Sequence, residues 1–211
     1  MSPFVINIGR QLGSGGREIA QILSQQLGIA YYDKEILSLA AQETGLGPNV
    51  FERSDEKKGF FRSVLHVVQP FIGGGGDFYS NQLSDENLFA LQSRVIQKVA
   101  AERSCIFVGR VADYMLRHHP RHANIVICAS PDDRIRRIME RDNVDRRTAL
   151  HLMEDSDESR ADYYNFYASG SWGQADTYDL CLNSSVLGIE ESARLIAEFV
   201  TRKLDLSTAE N

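Results

Sequence analysis

Residues Phe4 to Leu27 read FVINIGRQLGSGGREIAQILSQQL. The stretch opens on five apolar or small residues, Phe4 to Ile8, the length of one short buried strand. Gly9, Gly13, Gly15 and Gly16 follow, and apolar residues then recur at Ile19, Ile22, Leu23 and Leu27, the spacing of one helical face. Strand, glycine turn and helix in that order form a phosphate cradle. Glycines let backbone N–H groups converge, and the helix N-terminus adds partial positive charge. The pattern expected of such a cradle is G-x-x-x-x-G-K-[ST]. Counted back from Gly16, Gln11 stands at the first glycine, Arg17 at the lysine and Glu18 at the hydroxyl residue. Taken alone, the segment also reads as a tight strand–helix connection with no ligand.

Working outward, Gly28 stops the helix and IAYYD gives a second strand ending at Asp33. Lys34 to Thr44 reads as a helix broken by Gly45, Gly47 and Pro48. Residues 49–84 change character: charged residues give way to FFRSVLHVVQPFI and then to Gly73–Gly76. That pattern suits a hinge beneath a segment that closes over substrate, with a surface loop as the alternative. Asp85 to Arg103 is a helix, CIFVGR a third strand ending in Gly109–Arg110, and Val111 to His118 helical. NIVICAS is the fourth strand. Ser130–Pro131 then starts a helix that runs through RIRRIMERDNVDRR, and another follows from Thr148 to about Tyr167. YDLCLN is the fifth strand, and Ile189 to Leu204 the closing helix.

Strands alternating with helices predict an α/β fold: a five-stranded parallel sheet with helices on both faces. Ligands of such sheets bind at the carboxyl ends of the strands. The glycine turn, Asp33 and Gly109–Arg110 would then converge on one cleft, which favours a phosphate site over a plain connection.

The chain has 211 residues, 43% hydrophobic and 25% charged, which suits one domain with an insert. A net charge of -6 argues against a broad nucleic-acid footprint. The N-terminus has no basic run and every apolar stretch is short, so a cytoplasmic protein without membrane contact is expected. Cys105, Cys128 and Cys181 are an odd set without a C-x-x-C pair and read as buried apolar residues rather than a disulfide or zinc framework.

Arg134, Arg136, Arg137, Arg141, Arg146 and Arg147 crowd one segment, with Glu140, Asp142 and Asp145 between them. They read either as a solvated helix with i,i+4 pairs or as a clamp over phosphates. In DSDESRADYY, Asp157 and Arg160 share a helical face, as a surface pair or as contacts to a nucleotide.

The segments GRQLGSGGREIA, LGIAYYDKEIL, IFVGRVADYMLR, ASPDDRIRRI, DSDESRADYYNFY and SWGQADTYDLCLN carry a resemblance over nearly the whole chain. The chain resembles the cytidylate kinase-like proteins of the P-loop nucleoside-monophosphate kinase group. The resemblance implies a single domain, 1–211, with a nucleoside-monophosphate-binding insert at 49–84 and an arginine-rich lid at 131–167. It also implies phosphoryl transfer from ATP to a pyrimidine monophosphate such as CMP or dCMP, so small-molecule nucleotides are the expected partners.

By position, Gly13, Ser14, Gly15 and Gly16 would wrap the donor phosphates and Arg17 would take the lysine's place. Asp33, Arg110, Asp157 and Arg160 match positions that contact the acceptor, and Arg137 and Arg141 match the lid arginines. The chain departs from the pattern at Arg17, because arginine is a planar fork rather than a point charge. It departs again at Glu18, where the magnesium-binding hydroxyl belongs, and at Val108, where true cytidylate kinases carry Asp. Glu18 would either coordinate Mg²⁺ or pair with an arginine and block a triphosphate. The rival reading is a nucleotide-binding regulatory module that kept the lid and lost the metal site. A nucleic-acid-binding protein using the arginine-rich helix is a third reading, opposed by the acidic net charge.

Overall fold

The computed structural model describes residues 2–33 and 85–206. The helix expected at 34–44, the insert expected at 49–84 and the polar tail from Ser207 lie outside the described residues. The chain divides into two compact units, Met1–Tyr31 with Glu102–Asn211, and Tyr32–Ala101.

Among the described residues the elements are β1 (Val5–Arg10), α1 (Gly16–Leu27), β2 (Ala30–Tyr32), α2 (Asp85–Glu102), β3 (Cys105–Val108), α3 (Ala112–Met115), β4 (His122–Cys128), α4 (Pro131–Asp142), α5 (Arg146–Tyr167), β5 (Leu180–Asn183) and α6 (Ser184–Lys203). A single 3-10 turn, Ala175–Thr177, precedes β5. The five strands form one parallel sheet in the order β2-β3-β1-β4-β5. The glycine turn therefore leaves a strand flanked on both sides, with Ile8 opposite Val108 on β3 and Ile125 on β4.

Burial explains the short apolar runs. Val5, Ile6 and Ile8 on β1 and all four residues of β3 are buried, as expected of strands covered on both faces. Their core partners come from α1 (Ile19, Ala20, Leu23) and α6 (Ala193, Ile196, Val200), helices that pack on each other. Truncating a fully buried isoleucine here, Ile8 for example, costs about 2–5 kcal/mol. A second cluster (Ile135, Ile138, Ala149 and Met153) joins α4 to α5 and packs against Leu12 of the glycine turn. In the Tyr32–Ala101 unit, α2 buries Val95, Ile96 and Ala100 along one face.

Several boundaries differ from the sequence expectation. The helix expected to run through Arg147 stops at Asp142, where Asn143 adopts a left-handed conformation (φ 53) and its N–H donates to Met139 O. Asp145 then caps α5 by accepting the Thr148 N–H at 2.8 Å. Short polar side chains serve both cap positions better than helix interiors. The closing helix begins at Ser184 rather than Ile189, because Asn183 caps it by accepting the Ser185 N–H at 3.0 Å. It is then broken at Gly188 (φ 79, ψ 179). The helix expected over Val111–His118 is reduced to α3, Ala112–Met115. Cys105 is buried, which pushes its thiol up to about 12, but Cys181 is exposed, against expectation. Its strand β5 is only partly covered.

Candidate functional site

After β1 the Gln11 N–H donates to Ile127 O at 3.1 Å, carrying the chain across β4. Gln11 O then accepts both the Ser14 N–H (3.3 Å) and the Ser14 hydroxyl (2.9 Å), which closes the turn around Leu12 and Gly13. Gly13 (φ 77) and Gly15 (φ 79) are left-handed. A Cβ at Gly13 would lie 2.6 Å from the backbone carbonyl oxygen of Arg134, so only glycine fits between the turn and α4. Gly15 is the N-cap of α1 and provides no side-chain cap. The first N–H groups of a helix have no intrahelical acceptor, and with a glycine cap they are suited to an anion.

Three helices grip this turn. On α4, Arg134 is 6% exposed; its Nε donates to Leu12 O at 2.7 Å, and its guanidinium pairs with the Asp157 carboxylate of α5. The other Asp157 oxygen accepts the Leu12 N–H at 2.9 Å and Arg160 at 3.1 Å. Arg137 Nη1 donates to Gly13 O and to the Ser184 hydroxyl, each at 3.1 Å. Ser184 of α6 is buried, and its hydroxyl donates to Ser14 O at 2.7 Å. Ser185 and Ser130 tie the β4 and β5 ends together, the Ser130 N–H donating to the Ser185 hydroxyl at 2.9 Å. Hydrogen bonds from Ser185 and Ser130 hold the half-buried Asp133 carboxyl below the usual range.

The turn after β3 lies beside this region, its Gly109 N–H donating to Ile8 O at 2.9 Å. Gly109, Arg110 and Val111 are left-handed in succession, at φ 74, 63 and 57. For a β-branched residue such as Val111 that conformation costs about 1–2 kcal/mol. Strain of this kind collects at functional sites. Asp113, on α3, accepts the Tyr164 hydroxyl at 2.7 Å. Burial raises the Asp113 carboxyl above its ordinary value, against the lowering effect of that bond. Tyr178 is pushed up to about 12, by burial first and then by the nearby Asp113 charge. Its ring covers the end of β1, since a Cβ on Gly9 would sit 3.4 Å from the Tyr178 hydroxyl.

Of the residues singled out in the sequence, Gly13, Ser14, Gly15, Gly16, Arg137, Asp157 and Arg160 are brought together. Arg17 and Glu18 occupy the first turn of α1 with exposed side chains. Arg110 sits in the strained turn beside β1. Asp33 is buried, 3% exposed, and belongs to the Tyr32–Ala101 unit. Arg141 pairs with its own neighbour Asp142 at 2.7 and 2.6 Å and is half-exposed. The sequence pattern counts Arg134 among the crowded arginines without singling it out for the site, and it does not mark Ser184 at all. Arg134 and Arg137 lie three apart on one face of α4, a signal that was available.

Among the described residues no three His, Cys, Asp or Glu side chains form a group able to hold a metal ion. Glu18 is the one acidic residue in the first turn of α1. A single carboxylate fits Mg²⁺, which takes one or two protein carboxylates and completes its shell with phosphate oxygens and water. No helix among the described residues is long and apolar enough to cross a membrane.

The sequence profile of the cytidylate kinase-like family matches residues 5–186. No protein of curated function matches the chain. Among solved structures, an uncharacterized protein from Eubacterium ventriosum ATCC 27560 is 27% identical with a TM-score of 0.70, covering 93% of this chain and 98% of that one. Shikimate kinase from Bacteroides thetaiotaomicron is 11% identical with a TM-score of 0.51, covering 93% and 98% of the two chains. A gluconokinase from Sinorhizobium meliloti 1021 is also 11% identical with a TM-score of 0.51, covering 97% and 95%. These two distant likenesses show the fold, that of the P-loop kinases. With its profile matched over most of its length, the chain belongs to the cytidylate kinase-like family.

Proposed function

We propose that the chain is a nucleotide-binding phosphotransferase that moves the terminal phosphoryl group of ATP to a nucleoside monophosphate such as CMP or dCMP. The observation that carries this reading is the glycine turn itself. Its left-handed glycines and glycine-capped helix offer N–H groups to an anion, while Arg134, Arg137 and Asp157 fix its backbone from outside. In this reading the N–H groups of Gly13 to Glu18 hold the donor phosphates. Arg137 uses only Nη1 to grip Gly13 and Ser184, and the rest of its guanidinium serves the phosphoryl group. Residues 131–167, which contain α4 and α5, act as the lid. Arg110, Asp157 and Arg160 serve the acceptor, with Asp157 acting mainly by orienting Arg160.

A phosphate acceptor is already ionised, so no general base is needed: an acceptor oxygen bonds to the γ-phosphorus, the β–γ bridge bond breaks and ADP leaves. Positioning and spread positive charge then do most of the catalysis. Glu18 would hold Mg²⁺, which when bound neutralises phosphate charge. Next to Ser184 on α6, Val186 is 75% exposed and Leu187 is also exposed, an apolar shelf for the nucleoside beside the turn.

The rival reading is a nucleotide-binding regulatory module, favoured by Glu18 and Val108 at metal-related positions. Purified protein with ATP, Mg²⁺ and a panel of monophosphates separates the two. ADP formation that depends on an acceptor supports the phosphotransferase. ATP binding without ADP formation for any acceptor supports the regulatory module.

A further inference from the structure

The sequence pattern assigns the lysine's task to Arg17, but α1 begins at Gly16, and Arg17, its second residue, has an exposed side chain. The space a side chain at Gly16 would fill is taken by Arg10, the last residue of β1. A Cβ on Gly16 would lie 2.6 Å from Arg10 Cβ and 3.1 Å from its Cγ. The far end of the same side chain lies on Gly109. A Cβ there would overlap Arg10 Nη1 and sit 3.2 Å from its Cζ. Two glycines, one at the start of α1 and one just after β3, are thus fitted around a single arginine. Because β1 and β3 are hydrogen-bonded neighbours, its guanidinium crosses the carboxyl edge of the sheet from the donor turn to the turn that carries Arg110.

We propose that Arg10 is the fixed cation of the site, its guanidinium binding the oxygens of the terminal donor phosphate between the two turns, while Arg17 contributes its backbone N–H. The proposal rests on the glycine turn being a phosphate site. The chemistry suits the residue: a guanidinium stays charged at every working pH and presents a planar fork to phosphate oxygens. Placed between donor and acceptor turns, it faces the group whose charge spreads over three equatorial oxygens during transfer.

Calorimetric titration of the full chain with ATP, ADP and AMP tests this, using wild type, Arg10→Met, Arg10→Lys, Arg17→Met and, as a surface control, Arg136→Met. Methionine keeps a stem against Gly16, and the thermal midpoint checks the fold. Arg10→Met is expected to weaken ATP binding about 30-fold, the loss of one charge-assisted contact, and AMP binding far less. Arg10→Lys recovers part of the loss, and Arg17→Met loses less than Arg10→Met. ATP binding by Arg10→Met within about threefold of wild type, or a larger loss in Arg17→Met, overturns the proposal. Should Arg10→Met unfold, Arg10→Lys decides: about tenfold weaker ATP binding supports the role of the fork, and unchanged binding overturns it. Wild-type protein that binds no ATP would instead overturn the phosphate reading of the turn, and this proposal with it.

Discussion

Removal of the Asp157 carboxylate tests how the turn is held. Asp157 lies on α5, its side chain 16% exposed, and it is shared by the buried Arg134 guanidinium, the Leu12 N–H and Arg160. Asp157→Ala leaves Arg134 buried without its counter-charge and Leu12 without its acceptor. Breaking a buried pair on one side costs about 3–5 kcal/mol. Because Arg134 keeps its bond to Leu12 O and Asp157 is slightly wet, the lower end applies, about 3 kcal/mol. For a chain of this length that is a fall of about 6–12 °C in Tm. Asp157→Asn retains the shape and an acceptor for Leu12, so it should lose about half as much. Replacing both partners, Arg134→Met with Asp157→Leu, should recover much of the single-mutant loss, since an apolar pair of similar volume leaves no buried charge. Thermal and urea melts of these proteins read the losses, and Arg134→Met and Asp157→Leu made singly complete the double-mutant cycle. A loss below about 0.5 kcal/mol for Asp157→Ala would refute the reasoning, because that is the size of a surface pair.

Two further outcomes follow from the same geometry. Gly13→Ala puts a Cβ 2.6 Å from a backbone oxygen, about 0.8 Å short of ordinary contact, at a left-handed φ. It should lower stability by more than the roughly 1–2 kcal/mol of the backbone conformation alone and cut ATP affinity. Gly28→Ala, also left-handed but with nothing within 4 Å, should show only the backbone cost, and equal losses in the two melts would contradict this. Asp113→Asn should change the pH dependence of stability. The raised carboxyl pKa means the folded chain keeps a proton that the unfolded chain has released, so wild-type stability falls as pH rises from the ordinary 3.8 through the raised value. The asparagine variant keeps an acceptor for Tyr164 and loses that slope. Melts between pH 4 and 8 should show its advantage growing with pH across that window and then levelling off, and a parallel slope in both proteins would count against a raised value.

The layout was legible because it rests on local patterns: short apolar runs, glycine stops, and one helical face after the glycine turn. The parallel sheet follows from their alternation. Caps were half-legible. Asn143 and Asp145 are the residue types that end and begin helices, but the arginine pattern ran through them. The arginine clamp was harder. Arg134, Arg137 and Arg141 share one face of α4, yet Arg141 lies seven residues on, about 10 Å along the axis from Arg134. It meets Asp142 while Arg134 and Arg137 meet the turn. Nothing local announces that Asp157 would hold the Leu12 N–H from 145 residues away. Nor does spacing reveal that Arg10 fills the side-chain space of Gly16 and Gly109, because that depends on the pairing of β1 with β3.

The proposed function requires backbone N–H groups of the glycine turn to hold nucleotide phosphates. Amide chemical-shift perturbation in isotope-labelled protein, titrated with ATP, reads those groups one by one. The largest shifts at saturation are expected on Gly13, Gly15, Gly16 and Arg17, with AMP giving much smaller ones. Saturable ATP binding that leaves these four amides unmoved would contradict it.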